Sequence, residues 1–589
     1  MKLKLYSIMA AAAFLLYCPS KKDDSSKKNA LLGAAFVLSQ QYEATVTVVG
    51  FLQETGGAPI RDGKVKIADS TDSSYLTSGQ GTIDEFTKCE TDNVSALTDV
   101  TTTKLDGQFT VTFKVKSASG KVVFSAVRSD TGSSTTACSA IANFTSTQYT
   151  KNVGTANFAI TVKNSKETNQ LTVSDASGLK LTIKSVETVV KGSYNLSSPT
   201  TGENICDGKN VTGTPETISG DISSNKTISG SAILSGTVFV KSGATLTVDA
   251  GSVIFGNRGS SLYILQGGKL VTKGTKTAPV CFTSSQTPGS RYPGDWGGIV
   301  MIGNAVGTRS STTEGTTPQN YGSGTDDTDS SGSLEYTIVE FAGNEVAPGD
   351  ELNSFSLYTI GSGTKMQYLQ AHRGLDDSFE LWGGKVTGKY WLATGGLDDD
   401  FDFDEGFQGN LQYLIGHKYP TSCGGSPSTD PHGFEMDGIN SGSGQSVCDS
   451  PKRCSNPTIS DYTVLGQQVS GGRAQRHREG LLGSFTNGVT YNFATGITCQ
   501  ADAGFPTTLS AFTNIKADKS ASNSGGSACD FTNVSVSLTS LPVTTEGNVA
   551  TDCGFGSTKP DYTSTVSGAG GGTSATGKWW ADWTVYRAR

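Results

Sequence analysis

The residues best equipped for chemistry lie in one acidic stretch, Asp398-Asp399-Asp400-Phe401-Asp402-Phe403-Asp404-Glu405-Gly406-Phe407, preceded by Asp376, Asp377 and Glu380 and followed by His432, Glu435 and Asp437. Strand alternation predicts Asp400, Asp402 and Asp404 on one face and Phe401 and Phe403, with Phe407, on the other. Carboxylates stacked in this way repel one another, and either solvent with counterions or a hard cation must relieve the repulsion. Calcium suits several carboxylate oxygens joined by backbone carbonyls, so Asp398, Asp400, Asp402 and Asp404 form the candidate calcium set, with a solvated acidic face as the alternative. The Asp/Asn-spaced loop ending in Glu that marks a helix-loop-helix calcium site is absent. The one basic cluster, Arg473-Ala474-Gln475-Arg476-His477-Arg478, offers Arg473, Arg476 and Arg478 to an anionic glycan, or else is a loop paired with nearby acids.

Other chemistries are less well served. A glycosidase needs two carboxyl groups flanking a sugar, and a calcium-dependent lyase needs acidic ligands plus a base. The pairs Asp376-Asp377 and Asp398-Asp399, the pair His432-Gly433 and the arginines could be arranged into either site. The full polygalacturonase-like set is missing, because neither Asn-Thr-Asp nor Arg-x-Lys accompanies the Asp-Asp and His-Gly pairs. The four histidines, His372, His417, His432 and His477, have no spacing that suits zinc, and no Gly-x-Ser-x-Gly elbow anchors a serine triad. No complete catalytic set is legible.

Such residues must be held by a scaffold, and the composition describes one that is rich in strands and turns. Of 589 residues 73 are Gly and only 17% are charged, with a net charge of -8 that argues against a nucleic-acid partner. Lys2 and Lys4 precede an apolar run from Tyr6 to Tyr17, a length suited to an export signal and too short to span a bilayer. The run ends at Cys18, and the charged stretch from Pro19 to Lys28 cannot build a core. Leu15-Leu16-Tyr17-Cys18 resembles a lipobox of the loose spirochaetal type, although Tyr17 replaces the usual small residue. That resemblance implies a diacylated Cys18, a tether over residues 19–41, and a membrane partner reached through the lipid anchor. If lipid consumes Cys18, ten cysteines remain, none in a Cys-x-x-Cys pair, which fits disulfides in an oxidising compartment. Cys89 with Cys138 is the only pair internal to the first folded unit.

That unit spans residues 42–164, where period-two segments such as Gln108-Phe109-Thr110-Val111-Thr112-Phe113-Lys114-Val115 predict a small β-sandwich. With Gly57-Ala58-Pro59-Ile60, Gly63-Lys64-Val65-Lys66-Ile67 and the Asp106-Gly107 turn, it resembles the carboxypeptidase-regulatory-like fold, which implies a spacer. A polar linker is expected over residues 165–215. From residue 216 to 589, short apolar runs alternate with Gly, Ser, Asn and Asp. Thr237-Val238-Phe239-Val240, Thr245-Leu246-Thr247-Val248, Val253-Ile254-Phe255 and Leu262-Tyr263-Ile264-Leu265 begin about eight residues apart. Strands this short bury an apolar column only by stacking turn on turn, as in a parallel β-helix. The Trp-rich segment Lys578–Trp583 is a candidate C-terminal cap. Trp296-Gly297-Gly298, Ser331–Gly343 and Leu375–Gly384 resemble turns of a family of exported bacterial surface β-helix proteins, which implies fold and location. The expected protein is thus all-β, a sandwich followed by a solenoid, anchored at the outer membrane or cell surface. Its expected role is a non-catalytic scaffold or an adhesin for a host or environmental glycan or protein. The alternatives are a polysaccharide lyase or glycoside hydrolase, and a purely structural envelope protein.

Overall fold

The computed structural model describes the strands between residues 43 and 191 and, from 205 to 587, all but short stretches, the longest being 440–453 and 550–557. Cys18, Cys89 and Cys138 lie outside the described residues.

The first unit has two antiparallel four-stranded sheets around one core. One sheet runs in the order Gln108–Val115, Glu43–Glu54, Leu179–Lys191, Ser165–Ser174, and the other Ile83–Phe86, Gly63–Asp69, Ser119–Ser129, Tyr149–Thr161. Val46, Val48, Val65, Ile67, Phe109, Phe113 and Phe124 alternate into the space between them. The expectation of a linker from residue 165 is corrected here. Residues 165–174 and 179–191 form a hairpin whose second strand pairs along the whole of Glu43–Glu54. The Ser, Thr and Lys residues that gave this stretch a linker's composition are interleaved with Leu181, Ile183 and Val186, which complete the core.

From Glu216 onward the chain coils into a parallel solenoid in which 25 strands of the described residues form one continuous hydrogen-bonded sheet. In a parallel in-register stack each side chain lies over its equivalent one turn later, about 4.8 Å away. Apolar residues exploit this on the inside. Phe355, Phe379, Phe401 and Phe434 are register partners, with successive ring centroids 4.9, 5.6 and 5.0 Å apart.

A second column marks the corner where each longer strand bends. Tyr336, Tyr368, Tyr390, Tyr413, Asp461, Asn487 and Asn514 all have positive φ, between 43° and 63°. A left-handed non-glycine residue costs roughly 1–3 kcal/mol, so repeating it needs compensation. The tyrosine rings supply it by stacking at 4.3, 4.4 and 4.9 Å, and Asn487 and Asn514 by amide hydrogen bonds of 3.0 and 2.9 Å to Asp461 and Asn487.

The Trp-rich segment does not close the last turn. Trp583 and Trp579 pack edge-on against Tyr336 and tilted against Tyr390 on the flank, and Val585 exchanges two hydrogen bonds with Gln370. Disulfides join Cys206 to Cys281 and Cys499 to Cys529. Among the described residues no helix is long and apolar enough to cross a membrane.

One polar chain crosses the solenoid interior. Ser510, His477, Gln475 and Tyr462 are linked by hydrogen bonds of 2.8, 2.9 and 2.6 Å, and all but the slightly exposed Ser510 are fully buried. Burial pushes the His477 imidazole down to about 3. The unfolded chain therefore takes up a proton near pH 6.5 that the folded chain refuses, so this group withdraws stability as pH falls from about 6.5 toward 3. His477→Gln removes that group. The fall in Tm between pH 6.5 and 4 is expected to be shallower in this variant than in the wild type, and parallel curves would refute the assignment.

Candidate functional site

The solenoid stacks the sequence's acidic residues on the outside of the same strands that hold the phenylalanine column. Ser356, Glu380, Asp402, Glu435 and Arg476 are successive register partners. Two residues further along each strand Tyr358, Trp382 and Asp404 follow one another, and Asp437 pairs with Arg478. The turns before these strands add Asp376 and Asp377, then Asp398 and Asp399. The 22-residue offset between the two pairs equals the offset between Phe379 and Phe401.

This places most of the sequence's candidates together, but not all. Asp402 and Asp404 share the outer face as alternation predicts, opposite the buried Phe401 and Phe403. Asp400 does not join them. It precedes the strand at a corner, is fully buried, and lies 3.0 Å from the Lys418 ammonium, over Gly416, where no Cβ would fit. Burial lifts its carboxyl to about 6 even with Lys418 alongside. Asp398 turns its carboxylate to the Ser428 hydroxyl at 2.5 Å. The carboxylate groupings close enough for a cation are instead Asp376, Asp377 and Asp398, and Asp377, Asp399 and Asp402, with oxygens within 4.8 Å of one another in each.

His432 also lies within 4.8 Å of Asp399 and Glu435, but its tautomer argues against its being a ligand. Its Nδ1 accepts the Arg473 backbone N–H at 3.0 Å, so the ring proton sits on Nε2, which faces Glu435 Oε2 at 3.1 Å. His432 is thus a donor toward Glu435.

The three arginines reach the same face. Arg476 lies 3.2 Å and Arg478 2.5 Å from Glu435, Arg478 also holds Asp437, and Arg473 donates to Gln500 at 2.7 Å. Each is engaged, and Arg476 and Arg478 fix and neutralise carboxylates.

The electrostatics divide the group in two. Burial, then repulsion from neighbouring carboxylates, raises Asp376, Asp377, Glu380, Asp399 and Asp402 well above the usual carboxylate range. Glu435 goes the other way. Burial alone would raise it, but the His432 hydrogen bond and the charges of Arg478 and Arg476 bring it down to about 2. Burial carries Asp437 up to about 7 although Arg478 opposes it.

Sequence reasoning missed the group beside this face. An antiparallel hairpin, Val306–Thr312 with Asn320–Ser323, is held to the solenoid by the buried Glu405, which accepts from Arg309 at 2.8 and 2.6 Å and from the Tyr321 hydroxyl at 2.8 Å. Nothing in the local sequence ties Arg309 to a carboxylate 96 residues away. A shallow cavity lined by Leu397, Lys418, Tyr419, Pro431 and Phe493 lies nearby, but no carboxylate lines it.

Comparison with known proteins bears on the fold. The pectate-lyase-like β-helix domain family matches residues 220–584. No curated protein matches. One solved structure that the chain resembles is the catalytic unit of thermostable GH87 α-1,3-glucanase from Streptomyces thermodiastaticus strain HF3-3. Identity is 8% and the TM-score 0.28, over 84% of this chain and 88% of that one; a likeness that loose carries nothing about activity. The family match spans well over half of the chain and agrees with its solenoid, and the protein belongs to the pectate-lyase-like β-helix family.

Proposed function

We propose that the chain acts on extracellular polysaccharide at the face built by Glu380, Asp402, Glu435, Asp437 and the arginines, with Glu435 as the ionised carboxylate and Asp437 as the proton donor. The observation that carries this reading is the convergence of the acidic column and the arginine cluster on one outer face. A proton donor working beside an ionised carboxylate needs two carboxyl groups whose pKa values are held apart. His432, Arg476 and Arg478 hold Glu435 low, while burial lifts Asp437 toward neutrality.

A hard divalent cation belongs to the same proposal. Asp377, Asp399 and Asp402 would hold it, with Asp376 and Asp398 beside them, and the all-oxygen donor set favours calcium. Bound there, it would supply positive charge to this face and to an acidic sugar. Export is supported by the disulfides, which suit an oxidising compartment. Anchoring at the outer membrane or cell surface through a diacylated Cys18 completes the reading.

Three outcomes are expected. Glu435→Gln lowers the release of reducing ends or unsaturated products from a panel of polygalacturonate, alginate and neutral glucans by about 10²–10⁴-fold. A wild type that binds a glycan saturably without cleaving it would instead be an adhesin-like scaffold, and one that does neither would be a structural envelope protein. Calcium at a hundredfold excess over its Kd stabilises the wild type by about 2.7 kcal/mol in thermal or denaturant unfolding. Asp399→Asn abolishes that gain, and a wild type indifferent to chelator has no such site. Cys18→Ala moves the protein from the membrane to the soluble fraction; undiminished membrane retention excludes the lipid anchor.

A further inference from the structure

The outer face that carries the acidic column is not uniformly accessible along the solenoid, and the difference has a chemical consequence. Outward-facing side chains of a solenoid are exposed unless something lies over them. On the N-terminal side of the acidic residues the same two columns continue as Tyr263, Val300 and Ser356, and as Ile302, Tyr358 and Trp382. All six are buried, Tyr263 and Tyr358 to 1% exposure and Trp382 to 6%.

The hairpin strands Val306–Thr312 and Asn320–Ser323, with residues 313–315, lie over Tyr263 and Tyr358. The Tyr263 hydroxyl donates to the Glu314 carbonyl at 2.8 Å, and the Glu314 backbone N–H donates to the Tyr358 hydroxyl at 3.3 Å. Segment 313–315 thus crosses both columns. Tyr321 packs tilted against Tyr358 at 4.6 Å, and Tyr358 stacks on Trp382 at 3.9 Å. The Glu314 carboxylate is close enough to Asp376 and Glu380 to raise both.

On the other side exposure rises, although Asp404 and Asp437 of the second column stay at 8%. Glu435 keeps 12% of its side chain exposed, Arg476 19% and Arg478 26%. Two turns beyond Arg476 the register reaches Ser522 and Ser524, which are exposed.

We infer that the acidic face receives the end of a glycan chain, with the terminal sugar abutting Glu314 and Trp382 and the rest of the chain running over Arg476 and Arg478 toward Ser522. This rests on the polysaccharide reading above and adds the mode of attack. A chain lying through the site in both directions would have to pass through the hairpin. A chain end fits against it, so cleavage proceeds stepwise from one terminus.

The test takes whichever glycan of the polygalacturonate, alginate and glucan panel the full-length protein cleaves. It follows solution viscosity and product length during the first few per cent of reaction. Chain-end attack yields mono- or disaccharides from the outset while viscosity barely falls. An early collapse of viscosity with oligomers of mixed length overturns the chain-end inference and leaves the polysaccharide reading standing. Failure to cleave any glycan of the panel overturns both. Tyr321→Phe, which loses one hydrogen bond to Glu405 and keeps the ring contact with Tyr358, and Arg309→Ala, which loses the paired contact, loosen the hairpin. The share of internal cleavage is expected to rise from wild type through Tyr321→Phe to Arg309→Ala. An unchanged product pattern in Arg309→Ala, folded by circular dichroism, counts against the hairpin as the barrier.

Discussion

In-register parallel stacking is the constraint on which the rest of this structure depends. Each turn sets its side chains about 4.8 Å above those of the turn before, so the unit of stability is a column of like positions. Apolar and amide columns gain from this. The phenylalanines inside, the tyrosines at the left-handed corner and the Asp461-Asn487-Asn514 ladder each place groups where neighbours attract. A column of carboxylates is the case that stacking penalises. Two ionised neighbours at that spacing repel by about 3 kcal/mol at an effective dielectric near 20. Two or three such pairs would rival the 5–15 kcal/mol that holds a typical domain together.

The chain answers that penalty differently at the two ends of the column. Toward the C-terminal side it interleaves opposite charge. Glu435 and Asp437 are followed one turn later by Arg476 and Arg478, so stacking itself forms the ion pairs. Toward the N-terminal side no basic residue stands in register with Glu380 or Asp402. There burial and mutual repulsion hold the carboxyls protonated into a range where free carboxylates are ionised. The same stacking rule thus makes one half of the face a fixed ion-paired carboxylate and the other half a set of carboxyls that gain by receiving a cation or keeping a proton.

How much of this was legible follows from the range of the interactions. The solenoid was readable because its signal is local and repeated, as in Thr245–Val248 and Val253–Gly256, where each strand carries its own alternation. The outward placement of Asp402 and Asp404 followed from the same alternation. Asp400 escaped it because the strand begins one residue later, at a corner where period two does not apply. The Ser165–Ser174 and Leu179–Lys191 hairpin escaped because polar residues are interleaved with those, such as Leu181, Ile183 and Val186, that reach the core. The convergence of Arg476 and Arg478 on Glu435 depends on register across an insertion. Phe434 pairs with Gln475, 41 residues on, where the turn from Phe379 to Phe401 takes 22. Only the 22-residue recurrence of the Asp-Asp pairs could have shown that Asp377 and Asp399 stack.

The places where the chain departs from its own stacking rule are therefore informative. A sequence that puts phenylalanine over phenylalanine and tyrosine over tyrosine does not lack the means to build neutral columns, and its outer face elsewhere carries serine, threonine and tyrosine. Keeping Glu380, Asp402 and Glu435 in one column sacrifices stability at positions where Ser356 and Thr498, in the same column, show a neutral residue to be compatible with the fold. Local inconsistency of this kind is expected where function rather than folding sets the residue. It coincides here with the opposed shifts of Glu435 and Asp437, and with the point where the hairpin's cover ends.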